Sequence, residues 1–227
     1  MRILGIDTST WSGSIAIVED SLIKGEVGLH VEITHADKIM VSIDFLLNQL
    51  QRTMEDFDGI AVSTGPGSFT GIRIGMATAK GLAMAIEKPL VGISSLHAMA
   101  ETFFMNGYLC PFIDAGREEV YACCFKREGQ LIWKMGSESV VDPIKFVKNQ
   151  KGEPLHIFGS GADRYREKIE TINRGGYYLW PFTHYIAPSI ARLGGHLIQE
   201  NEVPLFKPNY LRKSDAELQR DLQEKNR

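Results

Sequence analysis

The feature that most constrains the fold of this chain is a pattern that occurs twice, about half a chain length apart. Each copy is an apolar run that ends in an aspartate and is followed by two more strand-like segments. The first copy comprises Arg2–Ile6 with Asp7, Gly13–Val18 and a segment from about Leu22 to Leu29; the second comprises Leu109–Ile113 with Asp114, Val120–Phe125 and a strand starting near Leu131. Such segments, separated by tight turns, predict an antiparallel meander. Three matching segments in the same order favour an internal duplication over chance.

Helical and strand-like segments follow each meander in a similar order. The first set is helix Ala36–Leu50, strand Gly59–Ser63, helix Thr70–Ile86 and strand Leu90–Ile93; the second is helix Pro143–Asn149, strand Leu155–Phe158 and helices Asp163–Ile172 and Pro188–Glu200. This order predicts a duplicated actin-like α/β fold of the sugar-kinase and Hsp70 (ASKHA) type, with mixed sheets and flanking helices. We predict an N-terminal subdomain at residues 1–105, a C-terminal subdomain at 106–213 and a charged, variable tail at 214–227.

Composition limits the partners and the compartment. The net charge is −3 and the sequence pI is about 6.1, whereas a protein that grips RNA alone normally carries a basic surplus. If RNA is involved, we therefore expect a partner to supply much of the contact with it. The three cysteines include an adjacent pair in an apolar segment and no CxxC motif, which favours a reducing compartment and no structural zinc site. With no signal-peptide or membrane-spanning pattern, we predict a cytoplasmic protein that does not contact a membrane.

The densest motif is the glycine-rich segment STGPGSFTGIRIG, from Ser63 to Gly75, between a predicted strand and helix. Its glycines would let an anion or nucleotide approach the backbone at the positive end of a helix. The candidate cofactor-binding residues are Gly65, Gly67, Thr70 and Gly71 in this segment, with Asp7, Thr8 and Ser9 after the first strand. In the alternative interpretation, Gly71 and Gly75 allow two helices to pack closely. The residue types favour the two interpretations equally.

A second, shorter glycine turn lies at the equivalent place in the second half, residues 158–163. In actin-like folds, a turn at this place often touches the adenosine of a nucleotide. A loop that begins a helix and is capped by Ser160 explains this turn better.

Several segments together resemble one family, TsaB (also called YeaZ), the accessory proteins of bacterial tRNA threonylcarbamoyladenosine biosynthesis. These segments are ILGIDTST, STGPGSFTGIRIG, VGISSLHAMAE, IDAGREEVYA and PNYLR, and the resemblance spans residues 1 to about 213. It implies a non-catalytic paralogue of the transferase TsaD, which it binds and assists in threonylcarbamoyl transfer to the tRNA adenosine beside the anticodon. It further implies a small TsaE-like ATPase in the assembly and a homodimer when these partners are absent. No cofactor is required, and ATP or ADP is an optional ligand at the partner interface.

The resemblance also implies where partners bind. Such proteins self-associate through helices of the N-terminal half, and the expected interface residues are His35, Ile39, Ile43, Leu46, Arg73, Ile74 and Ala77.

TsaD holds its metal with two histidines, four residues apart, on the helix after the strand that matches Leu90–Ile93. The matching positions here are Ser95 and Met99, and neither side chain suits a divalent ion. We therefore expect no metal site and no catalytic residue in this chain. His97 and Glu101 are also four residues apart, but their frame is offset by two residues and points to another helix face.

Two other classes of function stay open. The chain could be a self-sufficient enzyme, either a metallopeptidase or a small-molecule kinase, for which His97, Glu101 and Asp7 are the residues to test. It could also be a homodimeric structural protein whose glycine turn only packs helices.

Overall fold

The computed structural model describes residues 1–30, 36–172, 175–181 and 185–212. The expected interface residue His35 and the predicted tail at 214–227 lie outside these residues.

The first half is built on a five-stranded sheet with the order β3-β2-β1-β4-β5. Its elements are β1 (Arg2–Asp7), β2 (Ser12–Glu19), β3 (Leu22–His30), α1 (Ala36–Leu50), β4 (Gly59–Gly65), α2 (Phe69–Ala85), β5 (Leu90–Ser94) and α3 (Ser95–Glu101). The strands β1 to β3 form the predicted antiparallel meander, and β4 and β5 run parallel to β1. Because β1 and β4 are buried on both faces, their sequences are nearly continuous apolar runs.

The second half repeats this strand arrangement in a seven-stranded sheet, whose main path is β10-β7-β6-β11-β12. Its elements are β6 (Gly107–Gly116), β7 (Glu119–Ala122), β8 (Phe125–Glu128), β9 (Leu131–Lys134), β10 (Ser139–Val141), α4 (Pro143–Asn149), β11 (Leu155–Phe158), α5 (Ser160–Arg164), α6 (Arg166–Glu170) and β12 (Tyr177–Leu179). As in the first half, the central strand pairs antiparallel on one side and parallel on the other. The predicted third meander strand near Leu131 is corrected: it is β9, which pairs with β8 off the main path, and β10 takes the place beside β7.

The predicted strand Val120–Phe125 is interrupted at Cys123 and Cys124. β7 pairs with the last residues of β6, whereas β8 pairs with the first residues of β6. Between them, the Cys124 carbonyl accepts a hydrogen bond from Met135 N, outside the ladder. Both cysteines are buried, and burial raises the pKa of the Cys123 thiol to about 12.

The predicted helix Asp163–Ile172 is two short helices, α5 and α6, which meet at Tyr165. The backbone φ of Tyr165 is −106°, outside the helical range, and its ring is buried against the second sheet. The side chain thus stays in the core at the cost of a helix break. No helix within the described ranges is long and apolar enough to cross a membrane.

Helix α7 (Ala187–Gln199) follows the second half in the chain but packs on β1, β2 and β4 of the first sheet. A Cβ atom on Gly5 would lie 2.3 Å from the Ala187 carbonyl oxygen, so this contact needs glycine. The predicted subdomain 106–213 is therefore corrected, since its last helix packs with the N-terminal half. The physical reason is that α1 and α2 cover only one face of the first sheet.

The described residues form three apolar cores. One lies between the first sheet and α1 and α2, and another between the second sheet and α4 to α6. The middle core, around α3 and α7, joins the two sheets and includes Leu96, Met99, Phe125, Phe158 and Ile190. The carboxyl ends of β1 and β4 lie side by side in the first sheet, and β6 takes the central place of β1 in the second sheet. In actin-like folds the cleft lies at this end of the strands.

Candidate functional site

Two aspartate turns mark the candidate site, one at the end of β1 and one at the end of β6. The Asp7 carboxylate accepts hydrogen bonds from Ser9 N at 2.9 Å and from Ser9 Oγ at 2.7 Å. The Asp114 carboxylate accepts a bond from Gly116 N at 3.0 Å. In both halves the aspartate thus bonds the amide two residues on, an Asx turn.

The glycine-rich segment lies directly on the first of these turns. Ser68 N donates to the Ser9 carbonyl at 2.7 Å, and Thr8 Oγ1 donates to the Gly71 carbonyl at 2.7 Å. A Cβ atom on Gly67 would lie 2.1 Å from the Ser9 oxygen, and one on Gly71 would lie 2.0 Å from the Thr8 oxygen. These glycines therefore have a packing role against the chain itself.

The same contacts test the nucleotide or anion cradle predicted from the sequence. Asp7, Thr8 and Ser9 are buried, and the carbonyl oxygens of Thr8 and Ser9 face the glycines. A phosphate on that side would meet lone pairs rather than N–H donors, so the described residues do not fit a phosphate there. The helix-packing alternative is also corrected, because Gly71 and Gly75 receive the β1–β2 turn and not a helix.

The two remaining predicted cofactor residues, Gly65 and Thr70, lie at the end of β4 and at the start of α2. Gly65 has a φ of +100°, which glycine adopts at little cost, and it ends β4. Thr70 is exposed in the first turn of α2, while the side chain of Ser68 caps that helix by accepting from Gly71 N. The structure therefore brings Asp7, Thr8, Ser9, Gly67 and Gly71 together and leaves Thr70 on the outside.

The second aspartate turn is more polar and more open. The Asp114 carboxylate pairs with Arg164 Nη1 at 2.6 Å and accepts from the Tyr165 hydroxyl at 3.2 Å. Burial, together with the Asp114 charge, raises the pKa of Tyr165, so the phenol stays a donor. Ser160 does not cap its helix as predicted; its hydroxyl oxygen accepts from Asp114 N at 3.2 Å.

Ser95 and Met99, the positions that the resemblance matches to the TsaD metal ligands, are core side chains. Ser95 is fully buried and its hydroxyl lies 2.6 Å from that of Ser63, while Met99 is 3% exposed in the middle core. His97 Nε2 lies 3.9 Å from Glu101 Oε1, and burial lowers the pKa of this histidine. Within the described ranges, no three His, Cys, Asp or Glu side chains are grouped so as to hold a metal ion.

The predicted partner interface is partly corrected by burial. Ile39, Ile43 and Leu46 face the first sheet and are at most 4% exposed, so they belong to the core. Arg73 and Ala77 are exposed, and Ile74 is half-buried. The exposed apolar side chains of these two helices are Met40, Val41 and Phe45 on α1 and Met84 on α2.

Sequence reasoning missed a set of residues at the cleft. The late motif PNYLR contributed to the family resemblance, but it was given no site role. In the structure, Asn209 N donates to the Thr64 carbonyl in the first half, and Arg212 donates to the Ala115 carbonyl in the second. The motif PNYLR has neither helical nor strand periodicity, so its sequence did not indicate a structural role.

Together, the duplicated sheets and the paired aspartate turns define an α/β protein of the actin-like class. The family described as "TsaD: tRNA N6-adenosine threonylcarbamoyltransferase" matches residues 23–171, more than half of the chain.

The chain is 30% identical to the tRNA threonylcarbamoyladenosine biosynthesis protein TsaB of Haemophilus influenzae, over 93% of this chain and 94% of that protein. It is 29% identical to TsaB of Bacillus subtilis, over 96% of both. The structure of YeaZ from Pseudomonas aeruginosa superposes with a TM-score of 0.80 at 26% identity, over 92% of this chain and 99% of that one. The chain therefore belongs to the TsaB (YeaZ) family, a branch of the wider TsaD family.

Proposed function

We propose that this chain is a non-catalytic accessory subunit of tRNA threonylcarbamoyladenosine synthesis, which acts by binding a TsaD-type transferase. The family relationship supports the pathway, because the relatives that span nearly the whole chain are named for this biosynthesis. The match to the transferase family itself supports a paralogue as the partner.

The observation that carries the non-catalytic role is the filling of the Ser95 and Met99 positions. Ser95 bonds to Ser63 across the β4–α3 boundary, and Met99 approaches Gly159 of the second half. Ser95 is thus committed to a buried bond within the first half, and Met99 to packing between the halves. A metal-binding pair of histidines here would place polar rings in an apolar core, at an unfavourable free energy.

The exposed apolar face of α1 and α2 is the surface that we assign to the partner. The two helices lie side by side on the first sheet. Phe45 is 53% exposed, Val41 68% and Met84 70%, and exposed large apolar side chains are the material of interaction sites. The exposed Arg73 and Ala77 on α2 belong to the same proposed surface, together with the half-buried Ile74.

The proposed surface on α1 and α2 determines which partners can bind at the same time. A second copy of the chain would use the same face, so the homodimer and the complex with the transferase compete for it. A TsaE-like ATPase completes the proposed assembly. Because the net charge of the chain is −3, tRNA is contacted mainly by the partners. Any ATP or ADP lies at the interface with the transferase, and the location is cytoplasmic.

Substitution of the exposed apolar residues tests this surface. Phe45→Asp with Met84→Asp would bury two charges in the complex, and we expect the affinity for the transferase to fall about 30-fold or more. The matched control is Leu131→Asp, since Leu131 is 62% exposed on β9 of the other half. Titration calorimetry against the transferase measures both. Equal affinities for the two variants would remove α1 and α2 from the interface.

A further inference from the structure

A segment without helix or strand, residues 203–212, bonds to the carboxyl ends of both β4 and β6. We call this segment the clasp. On the first half, Asn209 N donates to the Thr64 carbonyl at 2.8 Å. The Tyr210 ring stacks on Phe69 with centroids 4.5 Å apart, and its hydroxyl oxygen accepts from Arg73 Nε at 2.9 Å. The clasp is thereby attached to the end of β4 and to the first turns of α2.

The end of the clasp is attached to the second half. Arg212 Nη2 donates to the Ala115 carbonyl at 2.6 Å, and Arg212 Nη1 lies 3.4 Å from Glu119 Oε2. Both partners belong to the β6–β7 turn that carries Asp114. Within four residues, the chain thus bonds to both sides of the cleft.

The carboxylate of Glu138 joins the three parts. Its side chain is only 5% exposed. Oε1 accepts from Ser94 Oγ of the first half at 2.7 Å and from Lys134 Nζ of the second at 2.9 Å, while Oε2 accepts from Asn209 Nδ2 of the clasp. Hydrogen bonds to an ionised acceptor are the stronger kind, and burial reduces their competition with water.

We propose that the clasp is a built-in closure, which holds the two halves together at the cleft edge and opens locally without unfolding either half. The middle core joins the halves around α3 and α7, and at the cleft edge the clasp adds its bonds to the direct one between Ser94 and Glu138. The segment has no regular structure and exposes Val203 and Leu205, which are features of a region with low local stability. Its side-chain bonds therefore set how often the cleft opens.

The distance between the halves tests this proposal directly. Spin labels on Lys88→Cys in the first half and Lys148→Cys in the second report the distance by double electron–electron resonance, diluted with unlabelled protein. Both lysines are exposed, and the native cysteines are buried. In the variant Asn209→Ala with Arg212→Ala, we expect the population at long distance to rise about tenfold or more, because charge-assisted bonds are lost.

The control is Lys134→Gln, which removes the exposed ion pair of Glu138 but leaves its bonds to Ser94 and Asn209. We expect its distance distribution to match that of the parent protein. Far-ultraviolet circular dichroism confirms folding, and Arg212→Ala alone carries the test if the double variant does not fold. An unchanged distribution in the folded clasp variant, or an equal change in the control, would overturn the proposal.

Discussion

The two halves of the molecule follow one plan but fill the space beside their aspartate turns differently. In each half the central strand ends in aspartate, and a glycine with a φ near +100° ends or follows the neighbouring parallel strand, Gly65 in the first half and Gly159 in the second. In the first half, the 17-residue helix α2 follows, and its Gly71 and Gly75 contact Thr8 in the turn after Asp7. In the second half, α5 has five residues, and Arg164 reaches back to Asp114.

This difference shows how one fold can hold a closed turn and an open one. The first turn is covered by the glycine-rich segment, and its aspartate is buried. The second keeps a carboxylate whose side chain is 25% exposed, and the clasp binds the same turn through Arg212.

The largest expected effect comes from adding one methyl group to a glycine of the first half. Gly71→Ala would place Cβ 2.0 Å from a backbone oxygen, which cannot move without displacing the Asp7 turn. We expect the free energy of unfolding to fall by about 3 kcal/mol or more. In the second half, the nearest atoms to the methyl of Gly161→Ala are side-chain atoms, a Val120 methyl at 2.7 Å and the Phe112 Cβ at 3.1 Å, so a smaller loss of about 2 kcal/mol is expected. Urea unfolding measures both.

The control for these glycine variants is Gly81→Ala in α2, where nothing lies within 4 Å of the added methyl. Since alanine favours a helix more than glycine does, this variant should gain up to about 1 kcal/mol. Equal losses for Gly71→Ala and Gly161→Ala would mean that the two turns are equally closed.

Replacement of each aspartate by alanine should give the next largest effect on the unfolding free energy, again compared between the two halves. Asp7→Ala leaves the buried amide and hydroxyl of Ser9 without their acceptor, and we expect a loss of about 2 to 3 kcal/mol of unfolding free energy. Asp114→Ala should cost about 1 kcal/mol, because water can replace a partly exposed carboxylate. Thermal or urea unfolding at neutral pH compares them. A larger loss for Asp114→Ala would reverse the assignment of the closed and open turns.

The smallest effect concerns a buried histidine of the second half. Trp180 Nε1 donates to His156 Nδ1 at 3.1 Å, so the ring proton is on Nε2 and is donated to the Asn106 carbonyl. Burial lowers the pKa of His156 below its ordinary value of 6.5. The unfolded chain then binds more protons than the folded one, and stability falls as the pH drops below about 6.5, until the folded pKa is passed.

The variant His156→Phe should therefore lose less stability than the parent between neutral and mildly acidic pH. Urea unfolding at both pH values gives this difference, and His196→Gln, at an exposed position, is the control. Parallel losses in the parent and in His156→Phe would show that other groups carry the acid sensitivity.

Much of this organisation could be predicted from the sequence, because it depends on local pattern. Helix α1 lies at the predicted residues, since Ile39, Ile43 and Leu46 repeat at helical spacing. The same spacing explains the error in the interface. A regular apolar stripe marks the side that packs on the protein's own sheet, whereas Met40 and Phe45 lie off that stripe and are exposed.

The rest depends on contacts between residues far apart in the chain. The glycine-rich segment has the composition of an anion cradle, and only the position of Thr8 and Ser9 gives it a packing role. The clasp has no periodicity, and the bond between Asn209 and Glu138 joins residues 71 positions apart. Helix α7 likewise gives no sign in its own sequence of which sheet it covers.

The most direct test of the central claim is purification of this chain with a TsaD-type transferase, followed by a tRNA threonylcarbamoylation assay with each protein omitted in turn. The proposed role predicts that the chain binds the transferase, is inactive alone and is required for full turnover by the complete set. Full turnover without the chain, or modification of tRNA by the chain alone, would contradict it.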